Sequence, residues 1–445
     1  MHHPLLEIIE SHKQGKPVGI YSVYSANLFV LNASVIQAKY DDSYLLIEAT
    51  CNQVNQYGGY TGQTPEEFQK SVYSIINFWG YKKENIILGG DHLGPNPWKD
   101  EPAKDAMEKA GELVQNYVAS GFTKIHLDTS MYCRDDIGDR TEPLDTEIVA
   151  SRTAKLCWIA EKTWKNLDKK IPPLYVIGTE VPIPGGAQEP LSQLDVTSVE
   201  DIRKTIEIFE YTFKKEKLED AWSRIIAMVV QPGVEFSNKQ IINYKRDKAE
   251  QLSRFIEKVP NMVFEVHSTD FQKPSALKQL VEDHFAILKV GPALTFAFRE
   301  AIIALSFIED EWSKVKRINP LSKVIQIVDK EMKENPQYWE KYYHGNEREK
   351  AFLRKYSYSD RIRYYWQQPN VKDALAQLLE NLKQYPPPLT LISQYFPVQY
   401  QKIRNGKLGN DPINIIYDKI KEILIDYSQA TGQLKQLDLR EGIVS

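Results

Sequence analysis

The stretch Ile86-Ile87-Leu88-Gly89-Gly90-Asp91-His92 decides the fold. It begins as a continuous apolar run and ends on two ionisable residues. A continuous run, unlike strict alternation, marks a strand of a parallel sheet buried on both faces. The same grammar recurs on either side. Upstream lie Pro17–Tyr24 (PVGIYSVY) and Tyr44–Thr50 (YLLIEAT). Downstream lie Lys124–Ser130 (KIHLDTS), Leu174–Val181 (LYVIGTEV), Ile225–Gly233 (IIAMVVQPG), Val263–Asp270 (VFEVHSTD) and Ala286–Gly291 (AILKVG). Helical stretches separate them. Thr64-Pro65-Glu66-Glu67 offers an N-cap, a proline at the first helical position and early acids. Pro102–Val118 and Ser198–Phe213 carry apolar residues at helical spacing. Eight β/α units in roughly 300 residues predict an α/β fold, a (β/α)8 TIM barrel. A doubly wound sheet is the alternative, but no GxGxxG follows the first strand to support a dinucleotide fold.

Beyond Gly291 the character changes. Thr295–Trp312 reads as the helix closing the eighth unit, so residues 1–312 are expected to form the barrel domain. Residues 313–445 are rich in Tyr, Lys, Glu and Gln, with helical patterns at Val371–Leu382 and Pro412–Tyr427 and a break at Pro386-Pro387-Pro388. A C-terminal helical extension packed on the barrel is expected there. The 445 residues are 42% hydrophobic and 26% charged, with a net charge of −4, which gives no field suited to nucleic acid or an anionic membrane. No apolar run reaches the ~18 residues of a spanning helix, and the N-terminus does not read as a signal peptide. Cys51, Cys133 and Cys157 share no CxxC spacing and read as reduced, buried thiols. A cytoplasmic protein is expected, with a homo-oligomer left open.

Nearly every strand starts apolar and ends polar: Glu48, Asp91 and His92, His126 and Asp128, Glu180, Gln231, Glu265 and His267, Asp270, Lys289. In a barrel those ends form the active face. Of eight histidines, only His92, His126 and His267 fall at strand ends. A divalent metal is commonly held by two imidazoles and a carboxylate, leaving room for substrate oxygens. His92, Glu180 and His267 are the expected ligands, against the alternative of a hydrogen-bonded polar layer in the barrel mouth. Asp91 and Glu265 are the acid/base candidates, with Asp128 and Asp270 orienting. Lys289 has two readings: a Schiff-base lysine, which needs a depressed pKa, or a charge partner for the rim carboxylates. Gly58-Gly59-Tyr60-Thr61-Gly62 lacks the Gly-Lys-Ser/Thr ending of a phosphate loop. It is expected to turn over the mouth and bring Asn52, Gln53, Asn55 and Gln56 towards a polyhydroxylated ligand, since neutral amides suit sugar hydroxyls.

Long motifs carry a family resemblance: IEATCNQVNQYGGYTGQTP, ILGGDHLGPNPW, GFTKIHLDTSM, YVIGTEVPIPGGA, VVQPGVEF, EVHSTDFQ and HFAILKVGPALTFAFREAI, with NPQYWEKYY and YSDRIRYYW beyond the barrel. They resemble the tagatose-1,6-bisphosphate aldolase subunit Z family from about residue 17 to the mid-420s. That resemblance implies two roles. One is the non-catalytic, stabilising partner of a zinc-dependent class II aldolase. The other is that of members that are ketohexose 4-epimerases interconverting fructose and tagatose. By the distant likeness to class II aldolases, Asp91-His92 stands at the acid/base aspartate and first metal histidine, and Glu180 near the second histidine. His267-Ser268 stands near the third, and Lys289-Val290 matches strand eight. The carboxylate of Glu180 departs from the aldolase histidine. The resemblance thus implies a divalent ion (Zn, Ni, Co or Mn), with His126, Ser268, Asp270 and Lys289 beside Gln53 and Asn55 at the substrate.

Chemistry narrows the reaction. C4 of a 2-ketohexose is not adjacent to the carbonyl, so inversion there requires transient oxidation or breaking and remaking the C3–C4 bond. With no nicotinamide fingerprint, retro-aldol cleavage is expected. The substrate is a ketohexose or its phosphate. Few basic residues are found in the mouth motifs (Lys289, Arg134 and the more distal Arg361 and Arg363), which favours the free sugar.

Overall fold

A computed structural model of the chain describes residues 3–167, 171–178 and 194–434, and in it each of the eight apolar runs is a strand. In chain order they are β1 (Ile20–Val23), β2 (Leu45–Thr50), β3 (Ile86–Leu93), β4 (Lys124–Leu127), β5 (Leu174–Ile177) and β6 (Ile225–Val229). A small antiparallel ribbon of β7 (Glu235–Phe236) and β8 (Ile241–Ile242) interrupts the series before β9 (Val263–Val266) and β10 (Ile287–Val290). The ribbon was not expected; two residues per strand leave no period to read. The other strands are parallel and close into a barrel, β10 returning to β1 through Ile20↔Ile287 and Ser22↔Lys289. The TIM-barrel expectation holds. The strands β4 and β9 end earlier than expected, so Asp128, His267 and Asp270 stand in the loops just beyond them.

The helices begin where the capping chemistry puts them. Thr64 forms a full capping box with Glu67 ahead of Pro65–Trp79, and Ser198 caps Val199–Lys215 through Asp201 N. The helix after β10 spans Pro292–Lys316, which carries it past residue 312, where the sequence suggested the barrel should end. Pro386–Pro388 separates helices Pro369–Gln384 and Leu389–Tyr395. The late helix Pro412–Ala430 packs against Leu28–Asp41, Pro274–Glu282 and Pro292–Lys316. Its Ile415, Ile420 and Leu424 share one apolar cluster with Val30 and Leu294. Ser428 Oγ donates to Asp41 Oδ2 at 2.6 Å, and Tyr427 Oη to Thr269 O at 2.8 Å. All three cysteines are free and buried. No helix among the described residues is long and apolar enough to cross a membrane.

The barrel is filled in layers, as inward-pointing side chains two residues apart on each strand dictate. At the bottom, helix Pro4–Lys13 inserts Leu5 and Ile9 among Ile20, Leu46, Ile87, Val263 and Ile287. Two residues further along the strands, Glu48, Lys124, Glu265 and Lys289 meet, each at most 1% exposed. Gly89 faces this layer: a Cβ there would stand 2.7 Å from Glu48 Cγ, so the absent side chain makes room for the carboxylate. One step further lie Asp91, His126 and His267. Apolar packing holds the barrel from below, and charge is concentrated towards the open end.

Candidate metal centre and cavity

Strand ends β3, β4 and β9 bring three imidazoles together. The ring centroids of His92, His126 and His267 are 4.8–5.4 Å apart. One ligand atom from each of them and one from Asp91 all lie within 4.8 Å of one another. Every one of these rings has its own carboxylate. His92 Nδ1 is 2.8 Å from Asp128 Oδ2, His126 Nδ1 is 2.8 Å from Asp91 Oδ1, and His267 Nε2 is 3.0 Å from Glu265 Oε1. A carboxylate on one ring nitrogen fixes the tautomer and turns the other nitrogen towards a metal. His126 Nε2 is buried and has no hydrogen-bond partner among the described residues. A buried ring nitrogen left without a partner costs free energy in either tautomer.

Charge points the same way. The floor of the site contains four carboxylates (Glu48, Asp91, Asp128, Glu265) and two ammonium groups (Lys124, Lys289). With neutral histidines, two negative charges are unbalanced in a buried site, which a divalent cation would offset. The pKa directions follow from these contacts. Burial works against the Asp91 carboxylate, yet Lys289 and His92 hold it well below its usual range. Burial likewise opposes the Asp128 carboxylate, while the hydrogen bond and charge of His92 bring it down to about 2. Burial lowers His267 to about 3, the neutral form a metal needs. His92 is raised by Asp91 and Asp128 against the opposing effect of burial.

The backbone is bent to achieve this. His92 has φ +50° and Ser268 φ +57°, the left-handed region that L-residues avoid. Such positions cost about 1–2 kcal/mol each and cluster at functional sites. At Gly94 a Cβ would lie 1.7 Å from Asp128 O, so only glycine lets the chain after β3 pass β4 here.

Above the centre lies a cavity of about 430 Å³, within the ~300–1,000 Å³ of small-molecule sites. Asp128 lines it, and so do Tyr24, Asn52, Gln53, Tyr60, Arg361 and Arg363. The residues expected at the site are distributed unevenly. Gln53 is on the wall. Asn55 instead builds its own loop, donating to Cys51 O and accepting from Tyr57 N and Gly59 N. Gln56 donates to Lys109 O. Asp270 accepts from Gly291 N and Ala293 N, so its carboxylate caps helix Pro292–Lys316. Ser268 faces Glu235. Lys289 and Glu265 lie beneath the imidazoles, Glu265 Oε2 2.5 Å from Lys124 Nζ. His126, expected near substrate, joins the imidazole cluster. Glu180 lies outside the described residues. Sequence reasoning missed Lys124, Tyr24 and Tyr60. Arg361 and Arg363 counted among the more distal basic residues, while the run YSDRIRYYW left two readings open for Asp360-Arg361, a reach to the barrel mouth or an ion pair within the extension; the arginines line the cavity and Asp360 pairs with Arg299.

The sequence model for the D-tagatose-1,6-bisphosphate aldolase subunit GatZ/KbaZ-like family matches residues 5–432. A crystal structure from Sinorhizobium meliloti 1021, described as a probable tagatose 6 phosphate kinase, is 41% identical; the match covers 93% of this chain and all of that one at a TM-score of 0.83. Weaker likenesses include a fructuronate-tagaturonate epimerase from Cohnella laeviribosi (10% identity, 94% and 82% coverage, TM-score 0.47). Another is a fructose-bisphosphate aldolase from Campylobacter jejuni (14% identity, 85% and 92% coverage, TM-score 0.44). Those two fall too low to bear on the chemistry.

Proposed function

The chain belongs to the D-tagatose-1,6-bisphosphate aldolase subunit GatZ/KbaZ-like family, which ties its function to tagatose-bisphosphate aldolases, and from that premise we propose a divalent-metal-dependent ketohexose 4-epimerase working by retro-aldol and aldol steps. The observation that carries this reading is the trio of imidazoles, each backed by its own carboxylate, with Asp128 both holding His92 and lining a sugar-sized cavity. His92, His126 and His267 would hold the metal, with Asp91 beside them. A bound divalent ion supplies a Lewis acid for a ketose carbonyl and its neighbouring oxygen.

The remaining work falls to the protein. Asp91 is held ionised and accepts the C4 hydroxyl proton, leaving an aldehyde at C4 as the C3–C4 electron pair moves towards the C2 carbonyl. Rotation of the aldehyde before the bond re-forms inverts C4, and Asp91 returns the proton. Asp128 and Glu265 are positioning residues, fixing His92 and His267 respectively. Asn52 faces sugar hydroxyls from the cavity wall, beside Gln53, whose amide is held by Thr50 N and Tyr24 O.

The second reading is the stabilising subunit, favoured by the family's own description. One experiment separates the two. The isolated chain is incubated with fructose or tagatose plus Zn²⁺, Ni²⁺, Co²⁺ or Mn²⁺, and the other ketohexose is followed by chromatography. Interconversion that is lost on chelation and in Asp91→Asn supports the enzyme. No turnover with any metal, together with activation of a class II aldolase partner, would establish the subunit role instead.

A further inference from the structure

Two neighbouring helices of the outer ring present a charged groove with an exposed tryptophan in it. Ala103–Ala119 follows β3 and Thr146–Asn166 follows β4, so the two run side by side in the same direction. They approach closely because Gly111 has no side chain: a Cβ there would stand 2.7 Å from Ile159 Cδ1. That contact places Gly111 level with Ile159. One turn towards the N-termini, Glu108 is then level with Lys155, and on the other side of the contact Glu112 lies towards Lys162. All four charges are exposed and border one groove, the acids on the first helix and the bases on the second. Among the described residues none of the four has an ion-pair partner, although nearby Lys109 and Arg152 pair with Glu101 and Asp136. Trp158, between the two lysines on the second helix, is 50% exposed, with Lys162 Nζ 4.9 Å from its ring centroid. Tryptophan is among the residues most enriched where interfaces concentrate their binding energy.

We propose that this face is the contact of a two-fold homodimer, its occupant a second copy of the chain. A two-fold axis along the groove turns helix Ala103–Ala119 of one copy onto Thr146–Asn166 of the other and keeps levels along the helices unchanged. Glu108 then meets Lys155 of the second copy, and Glu112 meets its Lys162. Symmetry repeats both pairs, with the two Trp158 rings packed between them. An interface built from the same patch on both copies must be self-complementary, and an acidic stripe beside a basic one is so about this axis. An axis across the groove would set each helix against its own copy, acid on acid. A partner of one charge sign would satisfy only one of the two helices. The 17 residues of the first helix and the width of two helices give a face of roughly 25 Å by 20 Å, or about 1,000 Å² buried over both copies. That is at the low end for specific interfaces, so the dimer is weak, with a Kd on the order of micromolar. The contact is on the outer ring of helices and is independent of the chemistry proposed for the barrel mouth.

Sedimentation velocity of the full-length chain between about 1 and 100 µM tests it. The wild type should pass from monomer to dimer over that range, and salt at about 1 M should move the midpoint to higher concentration. Glu108→Lys combined with Glu112→Lys should weaken association at least about tenfold, and so should Lys155→Glu combined with Lys162→Glu. Mixed in equal amounts, these two variants should recover a dimer that neither forms alone, because every facing pair is again opposite in sign. Circular dichroism checks that each variant is folded. Should a reversed variant not fold, Trp158→Ser reads the same contact and should also weaken association at least about tenfold. A wild type that stays monomeric at every concentration overturns the proposal and leaves the groove to a different partner. A dimer indifferent to the reversals, or to Trp158→Ser, also overturns it, as does a mixture of the two reversed variants that stays monomeric.

Discussion

Lys289 Nζ lies 3.0 Å from Asp91 Oδ1, and the same ammonium is 3.0 Å from Glu48 Oε2. Burial alone would lower this lysine, but Asp91, Glu48 and Glu265 hold it above the ordinary value. A Schiff base needs a neutral amine, so this lysine is the charge partner. Borohydride added with fructose or tagatose should leave the chain mass unchanged. Lys289→Met leaves Asp91 without its ammonium partner and Lys124 alone between Glu48 and Glu265, and should destabilise the fold by about 3–5 kcal/mol, read from urea unfolding.

The carboxylates behind the imidazoles should matter nearly as much as the rings. Metal analysis after dialysis should find about one divalent ion per chain. His126→Ala should abolish retention, and Asp128→Asn should weaken metal affinity by about 10–100-fold through His92 alone. Equal metal in wild type and His126→Ala would remove the imidazole trio from consideration.

Glu235, which faces Ser268, offers a pH signature of its own. Burial raises its carboxyl from 4.5 to about 7. The folded state therefore keeps a proton that the unfolded chain loses, so stability falls as pH rises from about 4.5 to about 7 and is level beyond that. Glu235→Gln should remove this slope. Against wild type, the variant should gain on the order of 2–3 kcal/mol in unfolding free energy between pH 4.5 and pH 8. Parallel stability curves for the two proteins would contradict the assignment.

The extension should be inseparable from the barrel. Asp360 is buried against Arg299, and removing it leaves that guanidinium uncompensated. Asp360→Ala should cost about 3–5 kcal/mol. Limited proteolysis near Ser313 should not release a stable, active barrel, because the cleaved segment carries part of the cavity wall.

How far the sequence could be read depends on the range of the interaction behind each feature. Buried parallel strands announce themselves locally, so β3, with Ile86–Leu88 leading to Asp91 and His92, was legible and every other barrel strand followed from it. Thr64 and Ser198 were legible as caps for the same reason. The partner of an inward-facing ion was not. Lys124 meets Glu48 and Glu265 only because the barrel closes, and a spacing of 76 residues leaves no mark in the chain. Asn55 and Asp270 were misjudged because a polar side chain near a strand end can serve the backbone as readily as a ligand. Arg361 kept two open readings, a reach to the barrel mouth or an ion pair within the extension, since nothing in residues 357–366 encodes where that segment docks.

The pairing of β1 with β10 also governs how the chain emerges from the ribosome. Ile20–Val23 must wait for Ile287–Val290, a delay on the order of 15–50 s at about 5–20 residues per second of synthesis. Throughout that interval one edge of the first strand is open to other chains. Asp91 emerges well before Lys289, its ammonium partner, so the upper barrel interior stays unbalanced until the last strand arrives. The nascent protein is therefore most exposed to misassembly late in translation. Its need for a chaperone should be greatest once about two thirds of the chain has been made.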